Sequence, residues 1–190
     1  MRKQILKLIN TEIINAKQGK EAFMILKVNN LVDFEVINKL YEASNAGVKV
    51  KLIVRSMCSI VSGVAGLSEN IEAISIVGKY LEHSRIFIFC NGGQKKYFIS
   101  SADLMSRNLD ARAEVVCPIY DKTIQKDIET FMDFQWRDNV KARILNEHQA
   151  NEYKTEPKGV KINSQEAIYE YWKAKSITNY ELRITGDNLK

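Results

Sequence analysis

Cysteine, histidine and proline are scarce in this chain: three, two and two among 190 residues. Cys58, Cys90 and Cys117 are odd in number, widely spaced and form no C-x-x-C pair. That argues against a disulfide framework and against a zinc site. No apolar run approaches the roughly 18 residues of a membrane span, and no signal peptide is recognisable. The chain therefore reads as cytoplasmic and soluble, peripheral to a membrane at most. The phosphate loop Gly-x4-Gly-Lys-Ser/Thr is missing, and Gly63-x-x-Gly66 is too loose to replace it. Asp33, Glu35, Glu69 and Asp103 lack metal-ligand spacing, so no metal site is expected from this chain's own residues. Neither an internal repeat nor a low-complexity tract is present.

What is there suffices for a core. Hydrophobic residues make up 45% of the chain, which excludes wholesale disorder. The net charge of +5 is mildly basic; it permits an anionic ligand without demanding one. Ile5, Leu6, Leu8, Ile9, Ile13 and Ile14 recur at helical spacing and predict a helix over residues 2–17. Residues 23–28 read as a strand, 32–46 as a helix ended by Gly47, and 48–54 as a second strand. Strand, helix and strand in close succession form a βαβ unit with parallel strands. Arg55 follows its last apolar residue, at the carboxyl end where α/β folds place ligands. Residues 57–70 form a long loop, and 71–77 a short strand.

A hairpin comes next. Ile86 to Phe89 is an apolar run too short for a helix, Asn91-Gly92-Gly93 suits a tight turn, and residues 96–99 return as the partner strand. Counted as part of the first strand, His83 and Arg85 project from one face. An imidazole beside a guanidinium suits an oxyanion, above all a phosphoryl group. Further on, residues 102–108 predict a helical turn or loop, 112–119 a strand stopped by Pro118, and 122–137 a helix. Residues 146–165 are polar, with Pro157 and Gly159, and read as a linker. A short helix over 165–175 and a weakly patterned last dozen residues follow.

His83-Ser84-Arg85 with Ser100-Ser101-Ala102-Asp103 resembles a degenerate phospholipase D signature, His-x-Lys-x4-Asp followed by Gly-Ser-x-Asn. The wider wording is similar to the C-terminal part of bacterial polyphosphate kinases of the phosphohistidine type. It covers Asn29 to Asp33, Leu52-Ile53-Val54-Arg55, Leu67 to Ile71, Leu81-Glu82-His83 and Ser100 to Asn108. Several long motifs in the right order, across roughly residues 1–145, make the resemblance specific.

The resemblance implies an α/β fold of the phospholipase D-like type, a mixed sheet flanked by helices on both faces. It implies a catalytic domain over residues 1–145, with 146–190 as linker, terminal helix and tail. The activity implied is reversible transfer of the terminal phosphate of ATP to polyphosphate. Arg55, His83, Arg85 and Arg112 would bind ATP and phosphate, and His83 would act at the transferred group. Mg²⁺ would arrive with the nucleotide, its protein ligands lying outside this chain. The partners implied are ATP or ADP, polyphosphate, the upstream domains that carry the phosphorylated histidine, and further copies in a homo-oligomer; nucleic acid is not expected. Met1 would then mark a fragment boundary, and the chain alone would be inactive.

Two departures from the phospholipase pattern stand out. Cys90 occupies the place of the aspartate that would orient the histidine, and the other histidine, His148, lies in the polar stretch without a signature. Two other readings remain open at this point: a phosphodiesterase or nuclease half-site that dimerises, and a non-catalytic polyanion-binding module. For Arg112, a salt bridge to Glu114 or Asp110 is the plainer reading.

Overall fold

Side chains alternate along β1 (Phe23–Val28), and the two faces of the sheet divide the core accordingly. Met24, Leu26 and Val28 join Ile5, Ile9 and Ile13 of α1 (Arg2–Lys17) and Val36 and Leu40 of α2 (Phe34–Asn45). Phe23 and Ile25 pack on the other face, against the cluster containing Ile128 and Met132 of α3 (Lys122–Trp136). The computed structural model describes residues 1–156 and 159–187.

Seven strands form one sheet in the order β6-β5-β4-β1-β2-β3-β7. β2 (Lys49–Val54) pairs parallel with β1, and β3 (Ile71–Ile76) parallel with β2. β4 (Ile86–Phe89), β5 (Lys96–Ser100) and β6 (Val116–Ile119) add antiparallel strands beyond β1. β7 (Ala142–Leu145) runs antiparallel to β3 at the other edge. A second helix, α4 (Ser164–Asp187), packs on α3, where Tyr171 meets Phe134 edge-on and its hydroxyl donates to Asp127 at 2.8 Å. The expected mixed sheet with helices on both faces is what forms.

Several expected boundaries move, each for a local reason. Helix α2 begins at Phe34 rather than 32 because Asp33 caps it, its carboxylate accepting the Val36 N–H at 3.1 Å. Strand β4 begins at Ile86, so His83 and Arg85 lie in the irregular segment before it rather than on the strand. The strand expected over 112–119 is confined to 116–119: the Glu114 side chain turns to Ser101 and Asn108 instead of following a strand alternation. Of the helical turn or loop expected over 102–108, residues 102–105 are loop, and the helical turn sits later, as a π-helical turn at Arg107–Ala111. Strand β7 was not expected at all.

The stretch read as a linker is tied down on both sides. Tyr153 bridges to Arg143, and Asp138 at the end of α3 accepts the N–H of Ser164 at 2.8 Å. Helix α4 runs past the expected residue 175, with no proline or glycine to stop it before Gly186. Pro157 and the last three of the weakly patterned residues lie outside the described residues.

Candidate phosphate site at the strand ends

β1 and β2 run in the same direction, so their carboxyl ends meet at one edge of the sheet. β4 enters at that edge, since Lys27 of β1 pairs with Ile86 at its start. β5 leaves there, and β6 begins there, because Ser100 pairs with Val116. Topology therefore collects Asn29, Arg55, His83, Arg85, Asp103 and Arg112 around one edge. Apart from His83 and Arg85, they are far from one another in sequence, and the sheet brings them together.

Backbone bonds above the strands lock this edge. The Leu31 N–H donates to the Met57 carbonyl at 2.8 Å, and the Val32 N–H to the Leu104 carbonyl at 3.0 Å. Leu104 donates back to Asn30 at 3.1 Å. Three loops, after β1, β2 and β5, are thus joined through Leu31, which is fully buried. A site resting on them is held by the backbone rather than by side-chain packing alone.

Asp103 is the centre of the polar network. It is 4% exposed, and its carboxylate accepts from the N–H groups of Asn29 (2.8 Å) and Asn30 (3.2 Å), and from Asn30 Nδ2 (2.9 Å). Arg85 adds Nε at 3.0 Å and Nη2 at 3.3 Å. Burial pushes the Asp103 carboxyl up, but Arg85, Asn30 and Asn29 outweigh it and hold the group below the usual carboxylate range. The remaining Arg85 nitrogen, Nη1, donates to the carbonyl of His83 at 3.0 Å.

Arg55 is oriented from one side only. Its Nε donates to Asn29 Oδ1 at 2.9 Å, and among the described residues its two terminal nitrogens have no hydrogen-bond partner. The exposed Arg112 side chain makes neither an ion pair nor a hydrogen bond among the described residues. The plainer salt bridge does not form: Asp110 pairs with Arg2 at 2.5 Å, and Glu114 accepts from Ser101 and from Asn108 Nδ2 at 2.6 Å. The Ser101 and Asn108 donors hold Glu114 below the usual range, and the charges of Arg112 and Arg85 act on it in the same direction.

His83 is exposed, on a segment anchored one residue earlier. Glu82 Oε1 meets Lys27 Nζ at 3.1 Å and accepts the Ser84 hydroxyl, while Oε2 accepts Gln135 Nε2 of α3 at 2.7 Å. Lys27, 3% exposed, is a lysine in the middle strand of the sheet. Burial lowers its pKa, and Glu82 opposes that. Burial raises the Glu82 carboxyl, yet Lys27, Ser84 and Gln135 together leave it below the usual range. Cys90 lies at the opposite end of β4, fully buried, with its thiol on the Glu21 carbonyl at 3.4 Å. It cannot orient His83.

The structure thus places all four sequence-derived site residues at one edge but in different states. Arg55 and Arg112 keep guanidinium nitrogens available, His83 is open to solvent, and Arg85 has Nε, Nη1 and Nη2 all bonded to protein. Asn29, Asn30, Lys27, Glu82 and Asp103 were not singled out as site residues. A signal existed for some: an Asn-Asn pair straight after a buried strand, and a lysine inside an apolar one.

The donor set does not suit a resident metal ion. Asp103, Glu82 and Glu114 are the carboxylates here, and each already accepts from two or more protein donors. Among the described residues no group of three or more His, Cys, Asp or Glu could hold a metal. No helix among them is long and apolar enough to cross a membrane.

Comparison with known proteins is in line with this architecture. Residues 1–165 match the family described as "Polyphosphate kinase C-terminal domain 2". The polyphosphate kinase of Vibrio cholerae serotype O1 is 50% identical over 172 residues, 90% of this chain and 24% of the relative. The crystal structure of polyphosphate kinase from Porphyromonas gingivalis superposes with a TM-score of 0.90 at 45% identity, over 94% of this chain and 27% of that one. NucT from Helicobacter pylori shares the fold alone, with a TM-score of 0.50 at 11% identity over 70% of this chain and 89% of that one. The chain spans about a quarter of the length of the curated relatives it matches.

Proposed function

The chain belongs to the polyphosphate kinase C-terminal domain family, and we propose that its strand-end cluster supplies ATP and phosphate binding to reversible transfer of the terminal phosphate of ATP to polyphosphate. One observation carries this reading. Arg55 is held by Nε on a buried asparagine, so its terminal nitrogens present a fixed fork at the same sheet edge as the exposed His83. A guanidinium fork matches two oxygens of a phosphoryl group, and one fixed in advance loses little freedom when it binds.

In this reading Arg55 and Arg112 neutralise phosphate oxygens. His83 donates a hydrogen bond or a proton to an oxygen of the transferred group. Phosphoryl transfer asks mainly for positioning and charge neutralisation, and this edge offers both. Mg²⁺ would enter with the nucleotide and take its protein ligands from elsewhere in the enzyme. The phosphorylated histidine, a cytoplasmic location and assembly of several copies belong to the same proposal.

The test uses the full-length enzyme that contains this domain. H83A and R55A should each lower phosphoryl transfer by at least about tenfold, a modest demand beside the ~10²–10³ cost of losing one transition-state donor. Circular dichroism should show the fold retained. Unchanged rates in both variants would remove the cluster from the reaction.

A further inference from the structure

We propose that Asp103 is the positioning residue of this site, a buried anion that sets Arg55 and His83 relative to one another through Asn29 and Arg85. The inference rests on the proposed function above. It does not make Asp103 a catalytic residue, since the carboxylate faces only protein donors.

The connections are short. Asp103 Oδ1 accepts the Asn29 N–H at 2.8 Å, and the Asn29 side-chain oxygen accepts Arg55 Nε at 2.9 Å. On the other side, Asp103 accepts Arg85 Nε at 3.0 Å, and Arg85 Nη1 donates to the His83 carbonyl at 3.0 Å. Asn29 is 2% exposed and Asp103 4%, so water cannot readily substitute for either. An ionised carboxylate in that position is tolerable only with its donors in place. The geometry is therefore over-determined: moving the loop of Asp103 moves the exits of β1 and β2 and the entry of β4 together.

This also reassigns Arg85. With Nε and Nη2 on Asp103 and Nη1 on a backbone carbonyl, it forms a neutral pair with the anion. It holds the His83 backbone instead of meeting phosphate itself. The cluster then has two phosphate-facing guanidiniums, Arg55 and Arg112, and one that aims the imidazole.

A double-mutant cycle in the full-length enzyme tests the link. Asp103 and Arg55 do not touch, so a merely structural role for Asp103 predicts losses in kcat/KM for ATP that multiply within about twofold. Positioning predicts coupling. D103N should lower kcat/KM at least tenfold in the wild type, and that loss should shrink at least fivefold in the R55A background. Melting temperatures should stay additive. Multiplicative losses would overturn the inference while leaving the proposed function intact, whereas R55A and H83A both silent would overturn the proposed function itself. Should D103N not fold, N30A removes one side-chain donor to Asp103, and with it an acceptor of the Met57 N–H, and keeps the Arg85–Asp103 ion pair. It should show coupling with R55A of at least threefold, and multiplicative behaviour there would equally overturn the claim.

Discussion

At the scale of single residues, charge is placed where solvent is not, and each case has a consequence. Glu12 of α1 is fully buried; one oxygen accepts the Asn91 N–H at 2.6 Å at the hairpin turn, and the other has no hydrogen-bond partner among the described residues. Burial pushes its pKa up, against the pull of the Asn91 N–H. A carboxyl whose folded pKa is raised favours the fold while protonated, and that contribution is lost as pH rises through the folded value. E12Q should therefore raise the melting temperature at pH 8, and the gain should shrink as pH falls toward the ordinary glutamate value of about 4.3. Melting curves across that range check it; a difference that does not vary with pH would mean the buried charge costs nothing. Lys27 and Glu82 are the contrasting case, a buried cation and a half-buried anion that face each other and tie the His83 segment to the sheet and to α3.

At the scale of elements, the joints between helices and strands matter more than the elements' own propensities. Asp138, fully buried after α3, accepts the N–H groups of Val140 (2.9 Å), Lys141 (2.7 Å) and Ala142 (3.1 Å) with one oxygen. Its other oxygen accepts the Ser164 N–H at the start of α4. One carboxylate thereby joins α3, β7 and α4. Burial pushes it up, but these donors leave it below the usual range. Its stabilisation is thus present above the ordinary aspartate value, about 3.9, and lost as pH falls through the depressed folded value. D138N should cost about 2–3 kcal/mol at pH 7, in line with hydrogen bonds to a charged group, and less at acid pH. Denaturant melts at both pH values check the size. Limited proteolysis should find new cuts between β7 and α4; an unchanged pattern would mean that α4 is held by its contacts with α3 alone.

At the scale of the whole molecule, the site is an edge rather than an enclosed pocket. The groups proposed to face phosphate line one end of the sheet, and the chain covers about a quarter of the length of its relatives. Alone it should bind ATP weakly in calorimetry and form no phosphohistidine after incubation with ATP. A tight isolated complex, or labelled histidine, would show that this edge is a complete active site by itself.

Legibility in the sequence followed the range of the interactions. Helix α1 and strand β1 are readable to the residue because apolar period and turn chemistry are local. Strand β7 is not, because one buried and three half-buried residues carry little pattern and are made a strand by β3. The resemblance in wording singled out Arg55, His83, Arg85 and Arg112 as one set. What it could not reveal is which guanidinium is free. That follows from Asp103 reaching Arg85 across 18 positions and Asn29 across 74, distances over which only the folded sheet establishes a contact. By itself, then, the order of residues determined the helices, every strand but β7, and the family. Tertiary structure decided how the charges are shared, because hydrogen bonds to a buried anion form only where several strand ends converge.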